Sequence, residues 1–267
     1  MSVFTLIFAA WTALAAPSSP LAEHLQALVP APAGWESAQR DALLAAWGAD
    51  PETCLRAWEE APSPTRAGFP RFASPAMRAP ALRPLIVERL RAGGEDEATR
   101  AALAELLARS GPELEPALLG LIAEEQGPMV RRMLVSHLRW AEAEVCAQGL
   151  PLALGDADPG VRAEAAYVVG HRSDGARFAP SVVPLLSDAE PAVRAGAARA
   201  LGWIAYAPAF DGLSALLVDP EPEVRLRSLR ALERVDAARA AALPQLGALA
   251  RDPDPRVARA AARLQAR

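Results

Sequence analysis

Apolar and small residues recur in the C-terminal half of the chain at the three- and four-residue spacing of amphipathic helices. In three blocks a valine is followed by apolar or small residues four, seven and eight positions later, which places them on one helical face. The valines Val161, Val193, Val224 and Val257 are 32, 31 and 33 residues apart. The other positions of the face are Ala165, Val168 and Val169; Ala197, Ala200 and Leu201; and Ser228, Ala231 and Leu232.

A short polar segment precedes each valine and predicts where the helix begins. The segments are 156–162 (DADPGVR), 188–194 (DAEPAVR), 219–225 (DPEPEVR) and 252–258 (DPDPRVA), with fainter copies at 125–131 (EQGPMVR) and 94–100 (GEDEATR). An acidic residue before proline suits an N-cap, and proline fits the first helical position because no N–H is needed there. Six helix starts are therefore predicted.

A second helix is expected to complete each repeat. Gly170 and Gly202 are expected to mark the end of the first helix, and the apolar segments 182–186, 213–218 and 243–249 predict the second. Because each unit packs on its neighbours, the pattern indicates a repeat array rather than a single globular core.

These motifs resemble HEAT repeats, and are similar in particular to the short bacterial repeats of the HEAT-like phycobilin lyases. The resemblance rests on the D-x-D-P-x-V-R start, the alanine pairs and the L-L-x-D ending, and covers about two thirds of the chain. It implies an all-α fold, a HEAT-type α-solenoid in which antiparallel helix pairs form a superhelix over residues 79–267. It also implies a polar ladder between neighbouring units, pairing Asp156 with Arg162, Asp188 with Arg194, and Asp219 with Arg225.

The N-terminal third lacks the period. Residues 3–16 form an uncharged apolar run with an A-x-A pattern at Ala13 and Ala15, so a signal peptide is predicted within residues 1–16, with cleavage after Ala15. The alternative is a buried first helix in a cytoplasmic protein; the run is too short for a membrane span. Proline-rich residues 17–78 are expected to form a less regular helical cap, with Trp35, Trp47 and Trp58 packing inward.

Composition excludes several functions. The chain has 28 basic and 32 acidic residues and a formal net charge of −4, and all of its basic residues are arginine. A general nucleic-acid binder is disfavoured because these arginines are interleaved with Asp and Glu. Without lysine there is no Schiff-base amine and no phosphate-loop lysine. The absence of lysine and asparagine also favours a GC-rich bacterial source.

Catalytic signals are weak. The histidines His24, His137 and His171 are followed by Leu, Leu and Arg, whereas HEAT-type metal hydroxylases are expected to carry His-Glu pairs. Cys54 and Cys146 lie far apart, which favours core thiols over a disulfide or zinc site. We therefore expect no enzyme activity, catalytic residue, metal or cofactor; a lyase-like HEAT enzyme or lyase-associated subunit is the alternative.

A partner-binding edge is the remaining functional prediction. Trp140, His171, Trp203 and Arg234 each follow a valine anchor by ten residues and should share one edge of the array. Trp, Tyr and Arg dominate binding energy at many interfaces. We expect this edge to bind a protein or peptide, together with the neighbouring turn residues Arg177, Phe178, Tyr206 and Phe210. The alternative is that Trp140 and Trp203 close the core.

Overall fold

The computed structural model describes residues 82–94, 96–109 and 115–266, which divide into two compact units between Ala117 and Leu118. The predicted signal peptide at 1–16 and the predicted cap at 17–78, with Trp35, Trp47 and Trp58, lie outside the described residues. Both stay predictions.

Every regular element in the described ranges is helical, which confirms the all-α fold class. The first unit contains α1 (Leu82–Ala92) and α2 (Glu97–Arg109), and α3 (Glu115–Glu124) begins where that unit ends. The second unit continues with α4 (Pro128–Ser136), α5 (Ala143–Leu154), α6 (Pro159–His171), α7 (Ala179–Val182), α8 (Pro191–Ile204), α9 (Phe210–Ala215), α10 (Pro222–Val235), α11 (Ala237–Ala241), α12 (Leu246–Leu249) and α13 (Pro255–Gln265).

In the first unit α1 packs against α2 around a small apolar core. Ile86 and Leu90 on α1, with Leu103 and Leu107 on α2, are almost completely buried. Asp96 caps α2 by accepting hydrogen bonds from the amide and hydroxyl of Thr99, at 2.9 and 2.7 Å. This is the faint first copy of the repeat start, and it does begin a helix.

In the second unit the first helices of successive repeats form one layer. Helix α4 packs against α6, α6 against α8, α8 against α10, and α10 against α13. The second helices α5, α7, α9 and α12 pack against this layer. The valine anchors Val161, Val193, Val224 and Val257 are fully buried between the layers. The predicted stack of helix pairs is confirmed.

The motif prolines begin the first helices, as the sequence predicts. Pro159, Pro191, Pro222 and Pro255 are the first residues of α6, α8, α10 and α13. The acidic residues before them occupy the N-cap position, but only the aspartates cap with their side chains. Asp158 accepts a hydrogen bond from the amide of Val161 at 3.1 Å, whereas Glu190 and Glu221 make no such bond.

The prediction that Gly170 and Gly202 end the first helices is wrong. Both glycines lie inside their helices, which continue to His171 and Ile204. Their role is close approach between neighbouring first helices. A Cβ atom on Gly170 would lie 2.9 Å from the Cα of Ala200, and one on Gly202 would lie 2.7 Å from the Cα of Ala231. Real Cβ atoms do not come so close to a neighbouring backbone.

The predicted second helices are divided between α-helix and 3-10 turn. Helix α7 covers four residues and continues as a 3-10 turn, Val183–Ser187; α9 continues as a second such turn, Leu216–Val218. Pro184 lies in the first of these turns and has no amide to continue an α-helical bond. None of the helices in the described part of the chain combines the length and apolar character needed to cross a lipid bilayer.

Candidate functional site

A ladder of arginine–aspartate pairs links neighbouring repeats along the turn edge of the second unit. Each arginine donates two hydrogen bonds to the aspartate of the next repeat, at distances between 2.7 and 3.0 Å. The four pairs are Arg131–Asp156, Arg162–Asp188, Arg194–Asp219 and Arg225–Asp252.

The existence of this ladder agrees with the family resemblance, but the predicted register of its pairs is wrong. Asp156–Arg162, Asp188–Arg194 and Asp219–Arg225 are not side-chain pairs. Within a repeat, the arginine donates instead to the backbone carbonyl oxygen of the aspartate, at 2.8 Å for Arg162 and Asp156. The aspartate side chain turns toward the arginine of the previous repeat. Its Oδ1 also accepts a hydrogen bond from the amide two residues later in its own repeat.

Ion pairing lowers the pKa values of the ladder carboxylates. The hydrogen bond from Arg162 holds the pKa of Asp188 below its usual range, and the hydrogen bond from Arg225 does the same for Asp252. At Asp219 burial alone would raise the pKa, but hydrogen bonds from Arg194 and the backbone outweigh it. These carboxylates are therefore ionised at neutral pH and are held in the ion pairs of the ladder.

Some residues of the predicted partner-binding edge are exposed, and others are buried. The side chain of Trp140 is 55% exposed and that of Trp203 is 36% exposed, so neither closes the core. Arg177 and Arg234 are also exposed, and His171 and Tyr206 are half-buried.

Phe178 and Phe210 do not belong to the predicted surface. They are 7% and 2% exposed: Phe178 lies in the turn before α7, and Phe210 is the first residue of α9. Their outer ring faces are covered by arginine: the guanidinium carbon of Arg177 lies 5.5 Å from the Phe178 ring centroid, and that of Arg239 lies 3.8 Å from the Phe210 centroid.

Three rings from α6 and α8 form an aromatic triad, which consists of Tyr167, His171 and Trp203. The Tyr167 and His171 centroids are 3.9 Å apart, and Trp203 meets His171 edge-on at 4.2 Å. Tyr167 and His171 are four residues apart on α6 and therefore share a face. The Nδ1 atom of His171 lies 2.9 Å from the Tyr167 carbonyl oxygen, which can only accept, so Nδ1 carries the proton.

Beside the triad lies a concave surface that we call the arginine depression. Its volume is about 330 Å³ including open solvent. It is lined by Arg199, Gly202, Trp203, Arg227, Arg230, Ala231 and Arg234. Arg199 and Trp203 are four residues apart on α8, while Arg227, Arg230 and Arg234 are spaced by three and four residues on α10. These spacings direct all five side chains to the same side of the layer.

Arg199 has an unusual environment for a guanidinium. Its central carbon lies 5.4 Å from the Tyr167 centroid and 5.0 Å from the Trp203 centroid. Its Nε atom is buried without a hydrogen-bond partner among the described residues. Burial, and secondarily repulsion by Arg227, lower its pKa from the ordinary arginine value. Cation–π contact with the two rings, together with the negative charges of Glu164 and Glu223, favours the positive form of this group.

Trp203 and Arg234 were predicted from the sequence, whereas Arg199, Arg227 and Arg230 were not. The prediction used the positions ten residues after each valine. The columns at three and six residues were available in the sequence and contain Arg227, Arg199 and Arg230. Reading three columns together over neighbouring helices would have indicated the depression.

Within the described ranges, no group of three or more His, Cys, Asp or Glu side chains is placed to hold a metal ion. Cys146 is buried there, and its thiol donates a hydrogen bond to the Leu138 carbonyl oxygen at 3.1 Å. Cys54 lies outside the described residues.

Comparison with known families agrees with the repeat architecture. The family model for HEAT repeats matches residues 147–233 and 210–264. No curated protein matches the chain. The narrower similarity to phycobilin lyases stays a prediction.

Solved structures resemble the chain weakly. One engineered protein has 18% identity over 73% of this chain and 89% of its own, with a TM-score of 0.45. A second engineered protein has 19% identity over 97% and 77%, with a TM-score of 0.49. Human deoxyhypusine hydroxylase, solved in complex with glycerol, has 21% identity over 87% and 96%, with a TM-score of 0.41. At these values none carries a functional argument.

Proposed function

Since this chain is a HEAT-repeat protein, with its repeats matched over residues 147–264, we propose that it is a non-enzymatic scaffold that binds another protein or peptide. HEAT repeats expose a continuous helical layer whose residues vary without disturbing the buried positions. The proposal assigns binding to the C-terminal ends of the first helices, at Trp140, the aromatic triad and the arginine depression.

The observation that carries the proposal is the exposure of Trp140 and Trp203 on this layer. Each ring is held by a neighbouring group rather than by the core. The Arg139 guanidinium lies 5.6 Å from the Trp140 centroid, and Trp203 packs over Gly170 beside His171. Exposed, oriented aromatic side chains next to arginine are typical of the residues that dominate protein interfaces.

A non-enzymatic role is supported by the way the charged residues of the repeats are used. The motif aspartates and arginines pair with each other or with backbone groups, as the ladder illustrates. Carboxylates outside the ladder pair with exposed arginines, as Glu233 does with Arg263 at 2.7 Å. Absorbance spectra of the purified protein test the lyase alternative, because a bound chromophore would contradict the proposal.

The binding proposal is tested by substitution of the exposed rings. Trp140→Ala and Trp203→Ala should leave the far-UV circular dichroism spectrum unchanged and reduce recovery of crosslinked partner protein. Val218→Ala is the control, since Val218 is exposed on a 3-10 turn that follows a second helix. Equal recovery from all three variants, or loss of the fold on removal of an exposed ring, would contradict the proposal.

We also propose export, on the basis of the apolar run and the A-x-A pattern at residues 3–16. Protein expressed in a bacterium should be recovered from the periplasm with Ala16 as its first residue. N-terminal sequencing measures this directly. A cytoplasmic product that retains Ser2 and Val3 would contradict export and favour the buried-helix alternative.

A further inference from the structure

We propose that the arginine depression binds the carboxylate side chains of an acidic peptide segment. This inference rests on the proposed scaffold function and names the chemistry of the partner at that surface. It follows from the charge, the shape and the surroundings of the depression.

The positive charge of the depression is only partly compensated. Arg199, Arg227, Arg230 and Arg234 line it, and the only ion pair that any of them makes with a described carboxylate joins Arg227 to Glu223 at 2.7 Å. Elsewhere in the described part of the second unit, arginines pair repeatedly with carboxylates, in the ladder and on the helix surface. Arg199, Arg230 and Arg234 make no ion pair with a described carboxylate, and guanidinium groups gathered in this way favour an external anion.

The shape suits a few side chains rather than a long polymer. Helices α8 and α10 meet at Gly202 and Ala231, so the floor is backbone and a methyl group. The arginines form the rim, and the Trp203 ring forms an apolar wall that is 36% exposed. A carboxylate can reach the rim while an adjoining apolar group of the same peptide packs against Trp203.

The surroundings select a peptide over a nucleic acid. Glu223 lies at the depression itself, Glu164 pairs with Arg132 at 3.5 Å, and Glu233 pairs with Arg263 on the neighbouring helix. These carboxylates interrupt the positive charge along the layer and would repel an extended phosphate backbone, which needs a continuous basic track. A compact acidic segment needs only the local positive charge of the four arginines and does not extend past Glu164 or Glu233.

The test measures binding of a fluorescein-labelled oligoglutamate peptide to the full chain by fluorescence anisotropy at low salt. Arg230→Gln and Arg234→Gln should each weaken binding about tenfold, because each removes one charge-assisted contact. Both side chains are exposed, so the fold should persist. Arg251→Gln makes the same charge change at an exposed position outside the depression and should leave affinity within about twofold.

Three results would overturn the inference: no binding of oligoglutamate, an equal effect of Arg251→Gln and Arg230→Gln, or tighter binding of a single-stranded oligonucleotide of equal charge. The scaffold proposal has a separate readout. If Trp140→Ala reduces partner crosslinking while oligoglutamate does not bind, the scaffold proposal stands and the acidic-peptide inference is wrong. If Trp140→Ala and Trp203→Ala change nothing, the scaffold proposal itself is wrong.

Discussion

Replacing Arg194 by Met tests whether the ladder stabilises the contacts between repeats. Arg194 donates two hydrogen bonds to Asp219, at 2.7 and 3.0 Å, and further bonds to the carbonyl oxygens of Asp188 and Ala189, at 2.9 and 3.0 Å. The Met side chain keeps most of the apolar volume of the arginine stem but makes none of these bonds.

The size of the effect follows from burial. The Arg194 and Asp219 side chains are 13% and 5% exposed, so the pair belongs with buried ion pairs rather than surface ones. Removing one partner of a buried pair strands the other charge and costs about 3–5 kcal/mol. Only the Glu221 amide would still donate to the Asp219 carboxylate. Adding Asp219→Asn to the variant removes the stranded charge and should recover part of the loss.

Arg132→Met is the matched control. Arg132 is 53% exposed and its Nε lies 3.5 Å from Glu164, so this pair should contribute less than about 1 kcal/mol. Urea unfolding followed by far-UV circular dichroism measures both losses as shifts of the midpoint at constant slope. A loss below about 1 kcal/mol for Arg194→Met, or equal losses for the two variants, would refute the burial argument.

Three further predictions concern stability. The ladder aspartates have folded-state pKa values below the ordinary value of about 3.9, so their stabilisation is present above that pH and is lost as the pH falls through the lower folded-state values. The urea midpoint should therefore be flat from about pH 5 to 7 and fall below about pH 4. A midpoint that rises on acidification would contradict this. Ala205 caps the C-terminus of α8 with a left-handed φ of 53°, so Ala205→Gly should stabilise the protein by up to about 1 kcal/mol. The control Ala262→Gly, within α13, should destabilise it by about 1 kcal/mol. Equal thermal shifts for the two variants would refute the cap argument. Gly202→Ala forces a methyl group against the Ala231 backbone and should cost about 1–3 kcal/mol in urea unfolding, and a stabilised variant would show that the helices do not meet there.

The helix starts could be predicted from the sequence because the residues that determine them lie next to each other in the chain. Proline at a first helical position and an acidic residue before it determine a helix start within a few residues, and Pro159 and Pro191 begin their helices accordingly. The glycine interpretation was wrong because a glycine inside an alanine-rich helix also permits close packing. Only the distance from Gly202 to Ala231, on another helix, distinguishes these roles.

The relations between repeats were harder to predict. Every repeat carries both an arginine and an aspartate, so sequence alone does not determine whether Arg162 pairs with Asp156 or with Asp188. The structure places the Asp188 carboxylate 2.8 Å from Arg162, and within its own repeat Arg162 donates to the backbone carbonyl oxygens of Asp156 and Ala157. Phe178 and Phe210 were wrongly predicted to be exposed, because a residue in or beside a turn can still bury its ring.

The most direct test of the scaffold proposal is site-specific photocrosslinking. A photoreactive phenylalanine analogue is placed at Trp140 or Arg234 on the proposed surface, or at Ala189, which is exposed in the turn at the opposite end of the first helices. Helix α8 has 14 residues, which separates the two ends by about 20 Å. The proposal predicts the same crosslinked partner from Trp140 and Arg234 and none from Ala189; crosslinks from Ala189 alone, or equally from all three positions, would contradict it.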